Sequence, residues 1–143
     1  MGLDMYLSGS HFNATLIKKK DGSYEEVDRP LLEDKYPIES HDILLGYWRK
    51  HPDLHGMIVE TFADGVDECQ RINLTKDRLR LIIDAVKSDN LVKDHSGIFF
   101  GNSTENGSYS EESKAETIKS FELAMEFLED DEQWRDVWYR ASW

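Results

Sequence analysis

Two histidines, His51 and His55, stand four residues apart at the start of a segment with helical periodicity. That spacing places two imidazoles on one face of a helix, which is how some zinc sites obtain two of their ligands. Pro52 argues against this arrangement, because the residue before a proline is pushed out of helical geometry. Since no third ligand stands at a zinc-like spacing, we expect no metal site and interpret both histidines as surface or helix-capping residues.

A second cluster with chemical potential, Tyr47 to Lys50, comes directly before them. A strand through this cluster would send Tyr47 and Arg49 to one face, and Trp48 and Lys50 to the other. Arginine and lysine beside aromatic rings can hold a carboxylate or a phosphate, which favours a binding site. The alternative is that Trp48 belongs to the core and that the two cations are solvated at the end of a strand.

An acidic segment that ends in the only cysteine, Asp67 to Cys69, could supply a general base or a nucleophile. A thiolate nucleophile needs a positive environment and usually a histidine partner, for which His55 and His95 are the nearest candidates by motif. The alternative is that Cys69 is a small buried hydrophobe at the start of a strand. No glycine-rich nucleotide loop, serine-hydrolase elbow, zinc-protease motif or EF-hand spacing occurs in the sequence, so we expect no cofactor.

Residues 111–132 carry nine acidic residues against two lysines, a net charge of −7. Such a run is usually a solvated helix face, but acids along one helix can also attract a basic partner. Tryptophan and tyrosine are enriched at binding hot spots, and the segment after this helix is rich in both. The residues that we predict to contact a partner are Glu116, Glu122, Glu126, Asp130 and Asp131 for electrostatic steering, with Trp138, Tyr139 and Trp143 as anchors.

Composition narrows the classes of partner. The net charge of −12 argues against direct binding to nucleic-acid backbones or anionic membranes, because both attract lysine and arginine. It fits a basic protein partner, or a surface that imitates nucleic acid. The single cysteine excludes an intramolecular disulfide, and the start of the chain lacks the features of a signal peptide. No segment approaches the ~20 apolar residues of a membrane span, so we expect a cytoplasmic protein.

The 143 residues, 39% of them hydrophobic, suit one domain with one core. The patterns predict an α+β fold, with a small, mostly antiparallel sheet covered by about three helices. Residues 111–143 can be interpreted as a C-terminal extension, consisting of an acidic helix and an aromatic strand. The predicted strands are 3–7, 12–17 as its partner, 41–48, 69–74, 96–101 and the last ten residues; the predicted helices begin near Pro52, after the N-cap Thr75 and near Glu111, and residues 23–40 are predicted to be a long surface loop.

Several stretches together resemble a family of small uncharacterised proteins encoded by bacteriophages and bacteria. They are MGLDMYL at the start, YWRK at 47–50, His55, the acidic element that ends in Cys69, and SGIFFGNS at 96–103. Members of that family carry these elements in the same order, with SGFFFGST in the last position, and the match extends over residues 1 to about 110.

The resemblance implies a phage or mobile-element context and a shared polar pocket. The pocket residues that it implies are Asp4, Tyr6, Tyr47, Trp48, Arg49, Lys50, His55, Asp67 and Cys69, whereas His51 lies outside the family pattern. The chain departs from the pattern at Gly56 and Met57, at Ile98 and in the final segment WRDVWYRASW. These departures make the acidic helix and the aromatic tail candidates for a specialised interface.

Two functional hypotheses from different classes follow. The first is a small acidic phage-type interaction protein, in the cytoplasm of a bacterial host cell, that binds and modulates a host protein with a basic surface. Such a partner would be a nucleic-acid-handling or defence factor, and the protein would act as an inhibitor or nucleic-acid mimic. The alternative is a small-molecule or nucleotide-binding protein or an enzyme, in which Tyr47, Arg49, Lys50 and His55 hold an anion and Cys69 or Asp67 does chemistry. A purely structural accessory domain is the third possibility, and the sequence leaves the oligomeric state open.

Overall fold

The computed structural model describes residues 2–91, 103–130 and 134–143. The described chain contains three α-helices, α1 (Pro52–Phe62), α2 (Lys76–Lys87) and α3 (Glu111–Phe127). Its strands are β1 (Asp4–Phe12), β2 (Leu16–Lys18), β3 (Tyr24–Glu26), β4 (Leu31–Leu32), β5 (Tyr36–Pro37), β6 (Ser40–Arg49), β7 (Ile72–Asn73) and β8 (Trp134–Ser142). The predicted strand at 96–101 lies outside the described residues.

The main sheet has four antiparallel strands in the order β6-β1-β8-β7. The central strand β1 pairs with β6 on one side and with β8 on the other, so that Tyr6 lies between Tyr47 and Arg140. Among the described residues there are also two small hairpins, β2 with β3 and β4 with β5. The predicted α+β class, with three helices and a mostly antiparallel sheet, is therefore confirmed.

One face of the main sheet joins the helices in a single hydrophobic core. Alternation along β8 buries Val137, Tyr139 and Ala141, which lie beside buried residues of β1 such as Met5 and Leu7. The buried helix residues in this core are Leu54, Ile58 and Val59 of α1, Leu79, Ile82, Ile83 and Val86 of α2, and Phe121 and Ala124 of α3. Because β8 is an inner strand and α3 contributes to the core, both elements are packed together with the rest of the described fold.

Local signals explain where the helices begin. The Thr75 hydroxyl accepts a hydrogen bond from the backbone N–H of Arg78 and caps α2, as its residue type predicts. Ser110 caps α3 in the same way, through the N–H of Ser113 at 3.2 Å. Pro52 occupies the first turn of α1, where its missing N–H costs nothing. None of the helices in the described ranges is long and apolar enough to cross a membrane.

The structure corrects three predictions about strands. The first strand continues to Phe12 and pairs with β6 and β8, whereas Leu16–Lys18 pairs with Tyr24–Glu26. The predicted pairing between residues 3–7 and 12–17 is therefore wrong. The first strand does not end at residue 7 but stays extended through the buried Ser8 and Ser10 to Phe12. The predicted loop at 23–40 contains three short strands, and the strand predicted at 69–74 is limited to Ile72–Asn73. Cys69 adopts a positive φ of 57°, which interrupts extended backbone there.

Candidate functional site

A cleft of about 450 Å³ lies between the end of β6 and the first half of α3. The β6 side and the residue after it bring Tyr47, Trp48, Arg49 and His51 to its walls. The opposite side consists of Asn106, Ser108, Ser113, Glu116, Thr117, Lys119 and Ser120. The structure thus places three of the predicted binding residues, Tyr47, Trp48 and Arg49, in one polar cleft.

Trp48 both packs in the core and forms part of the cleft wall. Its ring stacks on Phe121 of α3 with 5.3 Å between the centroids, and its indole N–H donates to the Thr117 hydroxyl at 2.9 Å. Gly46 permits this close approach of α3, because a Cβ there would lie 2.9 Å from the Cβ of Ser120. Packing against α3 therefore fixes the geometry of the cleft wall.

Two cationic side chains of the cleft, Arg49 and Lys119, have no ion-pair partner in the part of the chain that the structure describes. Asp4 lies directly opposite Arg49 in the sheet, but its carboxylate accepts the hydroxyl hydrogen bond of Tyr47 at 2.5 Å. That hydrogen bond to Asp4 raises the pKa of Tyr47. Within the described residues neither Arg49 nor Lys119 forms an ion pair, and Glu116 is the only acid on the cleft wall. The cleft therefore carries an excess of positive charge in a chain whose net charge is −12.

His51 connects the cleft to a buried polar network. Its Nδ1 lies 2.8 Å from the hydroxyl of Ser103, and this hydroxyl also accepts the backbone N–H of Asp53 at 3.1 Å. Ser103 thus supplies the side-chain cap for α1 that the N-cap residue His51 does not provide itself. Burial lowers the pKa of His51 to about 4 against the opposing charge of Asp53, so the imidazole is neutral near pH 7. The neutral imidazole and the Ser103 hydroxyl therefore share a hydrogen bond without an ionised partner.

Tyr109 extends this network on the other side of Asp53. Its hydroxyl donates to Oδ2 of Asp53, and its ring meets the ring of His51 edge-on at 5.9 Å. Burial, followed by the hydrogen bond to Asp53, raises the pKa of the Tyr109 hydroxyl. The phenol of Tyr109 therefore keeps its proton, and its hydrogen bond to Asp53 joins the segment before α3 to the first turn of α1.

A second buried network surrounds His55, outside the cleft walls. His55 Nδ1 lies 2.7 Å from the hydroxyl of Tyr139, and Nε2 lies 2.8 Å from Oδ2 of Asp67. The indole N–H of Trp143 donates to the other oxygen of Asp67 at 3.2 Å. Burial raises the pKa of Tyr139 well above its ordinary value, so the phenol remains a donor. His55 and Asp67, two of the predicted binding residues, are thus brought together, but neither lies on the cleft wall that contains Arg49.

Tyr139 occupies a position that a surface anchor cannot have. It is only 1% exposed, since the alternation of β8 points it inward and its neighbours outward. The prediction that Tyr139 contacts a partner as an anchor is therefore corrected: it belongs to the buried network with His55. Trp143 is 49% exposed, whereas Trp138 is half-buried and bonds Ser10 through its indole N–H.

Lys50 and Cys69, the remaining predicted binding residues, lie outside the cleft walls. Both have a positive φ, 54° at Lys50 and 57° at Cys69, so each marks a sharp turn of the backbone. The carbonyl of Lys50 accepts from Asn106, and that of Cys69 accepts from Arg140. Cys69 is partly exposed. The alternative interpretation of Cys69 as a small buried hydrophobe therefore does not hold.

The two histidines of the zinc interpretation lie in separate networks, His51 with Ser103 and His55 with Asp67 and Tyr139. Among the residues that the structure describes, no group of three or more metal-ligating side chains could hold an ion.

The acids predicted to steer a partner are mostly exposed on α3. Glu116, Glu122 and Glu126 are exposed, and Glu122 lies 3.6 Å from the ammonium of Lys87. Asp130 is half-buried and lies 3.5 Å from Arg135. Asp131 lies outside the described residues.

Sequence reasoning missed the α3 side of the cleft. Ser113, Thr117 and Ser120 recur at intervals of four and three residues, which places small hydroxyl side chains on the helix face toward β6. That stripe was a detectable signal, since it interrupts an otherwise charged helix surface. Lys119 carries no comparable signal, because an isolated lysine on an acidic helix is ordinary.

No family model matches the chain, and no significant match was found among curated proteins or solved structures.

Proposed function

We propose that the cleft between β6 and α3 binds a small anionic ligand through a carboxylate or phosphate group. The observation that carries the proposal is the presence of two cationic side chains, Arg49 and Lys119, on the cleft wall without an ion-pair partner among the described residues. A guanidinium presents a planar fork of donors that suits both of these anions. The volume of about 450 Å³ lies within the usual range for small-ligand sites.

The remaining wall groups fit the same class of ligand. Hydroxyls of Ser108 and Ser113 and the amide of Asn106 can donate to anionic oxygens, and the ring of Tyr47 can cover an apolar part. The pair of His55 and Asp67 lies outside the cleft walls, as does Cys69. We therefore propose binding of an anion rather than a covalent reaction in this cleft.

The proposal is tested by thermal denaturation with inorganic phosphate, pyrophosphate and citrate as probes. A probe at about one hundred times its Kd should stabilise the folded chain by about 2.7 kcal/mol. Arg49→Gln and Lys119→Gln should each reduce this stabilisation by half or more while the ligand-free midpoint stays close to that of wild type.

Arg80→Gln is the matched control, because Arg80 is exposed on α2 and is not part of the cleft wall. It should retain the full ligand-induced shift. Equal shifts in Arg49→Gln, Lys119→Gln and Arg80→Gln would refute the cleft as the site, and so would the absence of any shift with all three probes.

A second candidate function is the capture of a basic protein. In this proposal the chain is a phage-type interaction protein that acts in the cytoplasm of a bacterial cell and inhibits a host nucleic-acid-handling or defence factor. It is supported by the exposed carboxylates Glu116, Glu122 and Glu126 on one helix of a chain with a net charge of −12. Surface charge of this kind accelerates encounter with a basic partner and weakens as salt rises.

An affinity pull-down from bacterial lysate at low and high salt tests the second candidate. The double variant Glu122→Lys/Glu126→Lys should lose a salt-sensitive basic protein that wild type retains. Asp28→Lys is the control, since Asp28 is also an exposed acid but lies between β3 and β4 rather than on α3. Retention of the same protein by the double variant would exclude electrostatic capture by α3.

A further inference from the structure

Among the strands that the structure describes, β6 lies at an open edge of the main sheet. Strand β1 pairs along one side of it, and no described strand pairs with the other side. An edge of this kind presents backbone N–H and C=O groups that can pair with another extended chain. With ten residues, β6 is also the longest strand of the sheet, so the open edge is long enough for such pairing.

A β-bulge divides β6 into two parts. The register shifts between Leu7 and Ser8, which face Gly46 and Leu44, so Leu45 is the extra residue. Leu45 is 8% exposed, whereas Leu44 is 63% exposed. The part after the bulge forms the wall of the anion cleft, and the part before it, Ser40 to Leu44, is separate from that site.

The part before the bulge lies next to an apolar groove. Ile43, Leu44 and Leu45 form one wall of it, and Leu123 and Phe127 of α3 form the other. Leu123 is 47% exposed and Ile43 39% exposed, so aliphatic surface on both walls is in contact with solvent. Exposed aliphatic side chains beside an open strand edge are typical of sites that bind a peptide strand.

The free charge at this groove is negative. Glu126 lines it, is exposed, and forms no ion pair with any described residue. Arg135 also lines the groove, but its guanidinium bonds the carbonyl of Phe127 and lies 3.5 Å from Asp130. The charge that an incoming chain meets is therefore that of Glu126.

We propose that the open edge of β6 at Ser40 to Leu44 accepts an extended segment of a basic protein as an additional strand. Because side chains alternate along a strand, the segment would alternate aliphatic residues with lysine or arginine. Its aliphatic side chains lie against Leu44 and Leu123, and a cation pairs with Glu126. A second copy of this chain is disfavoured as the occupant, since each copy carries a net charge of −12. The inference rests on the second candidate function and specifies the chemistry of the partner.

The probe is a nine-residue peptide of alternating valine and lysine, and the control is a peptide of alternating proline and lysine. Both carry the same charge, but each proline lacks a backbone N–H and disfavours incorporation of the control peptide into a sheet. The first peptide should bind the full chain and protect the amides of residues 40–45 from hydrogen exchange. The proline peptide should bind at least tenfold more weakly and protect none of them.

The variant Leu44→Lys should weaken binding of the valine peptide at least tenfold, by adding a like charge and removing apolar contact. Leu44 is largely exposed, so this variant should fold. Leu81→Lys is matched to it, because Leu81 is an exposed leucine on α2 away from the groove, and it should change the Kd less than twofold.

Three outcomes would overturn the inference. The first is equal binding of the two peptides. The second is protection confined to α3, which would leave electrostatic capture standing while excluding strand addition. The third is a dimer of wild type that Leu44→Lys dissociates, which would make a second copy the occupant. Failure of the second candidate function itself is seen separately, as unchanged lysate capture by Glu122→Lys/Glu126→Lys.

Discussion

The burial of His51 predicts a specific pH dependence of stability. In the folded chain burial lowers the pKa of this imidazole to about 4, whereas its value in the unfolded chain is that of an exposed histidine, about 6.5. Between these values the unfolded state binds more protons than the folded state. The free energy of unfolding must therefore fall as the pH falls through this range, and the full pKa difference corresponds to about 3.4 kcal/mol.

The test compares wild type with His51→Gln, whose amide does not titrate and can both donate and accept a hydrogen bond. Linkage predicts that His51 alone costs wild type about 1.8 kcal/mol between pH 7 and pH 5. Urea denaturation followed by tryptophan fluorescence at both pH values gives the two free energies for each protein. Other groups titrate in both proteins, so the loss in wild type should exceed the loss in His51→Gln by about 1.8 kcal/mol.

Thr61→Gln is the control, since Thr61 is exposed on α1, the helix that His51 precedes, and the substitution leaves His51 intact. It should show the same pH-dependent loss as wild type. A difference between wild type and His51→Gln below about 0.5 kcal/mol would refute the argument that burial keeps this imidazole neutral. A difference of opposite sign would mean that the charge of Asp53 outweighs burial.

Two further predictions concern local structure, and both are measured by urea denaturation. Thr75→Ala should lower the free energy of unfolding by about 1 kcal/mol, because it removes the oxygen that caps α2 through Arg78; a stability equal to wild type would contradict the role of this cap. Gly46→Ala should cost about 1–3 kcal/mol, because the added Cβ would lie 2.7 Å from the Trp48 ring and 2.9 Å from Ser120; an unchanged midpoint would show that α3 can move away from β6 without cost.

The helices were predictable from sequence because their signals are local. The apolar spacing that includes Leu54 and Ile58, the N-cap at Thr75 and the stripe through Phe121 each act within a few turns of one helix. The first residues of α1, α2 and α3 accordingly agree with the predicted starts of these helices. The strand predicted for the last ten residues likewise corresponds to β8, but its buried face was not predicted, since Tyr139 was expected to contact a partner.

Strand partners and the full cleft were not predictable, since they depend on residues far apart in the chain. Nothing near β1 indicates that its neighbours are β6 and β8, because the small serines Ser8 and Ser10 are buried only once Trp138 lies across them. The cleft also depends on residues far apart in the chain. Arg49 could be proposed from its own motif, but Lys119 joins it only when α3 packs on Gly46 and Trp48.

The position of β1 between β6 and β8 constrains how the chain can fold during its synthesis. The hydrogen bond between Trp138 and Ser10 joins residues 128 positions apart. Once β1 to β6 have left the ribosome, β1 can pair with β6, but the other side of β1 stays open until β8 has also emerged. Topologies dominated by such distant pairings fold slowly, and an open strand invites pairing with the wrong chain. Expression yield should therefore be sensitive to translation rate and to chaperones that shield β1 until β8 arrives.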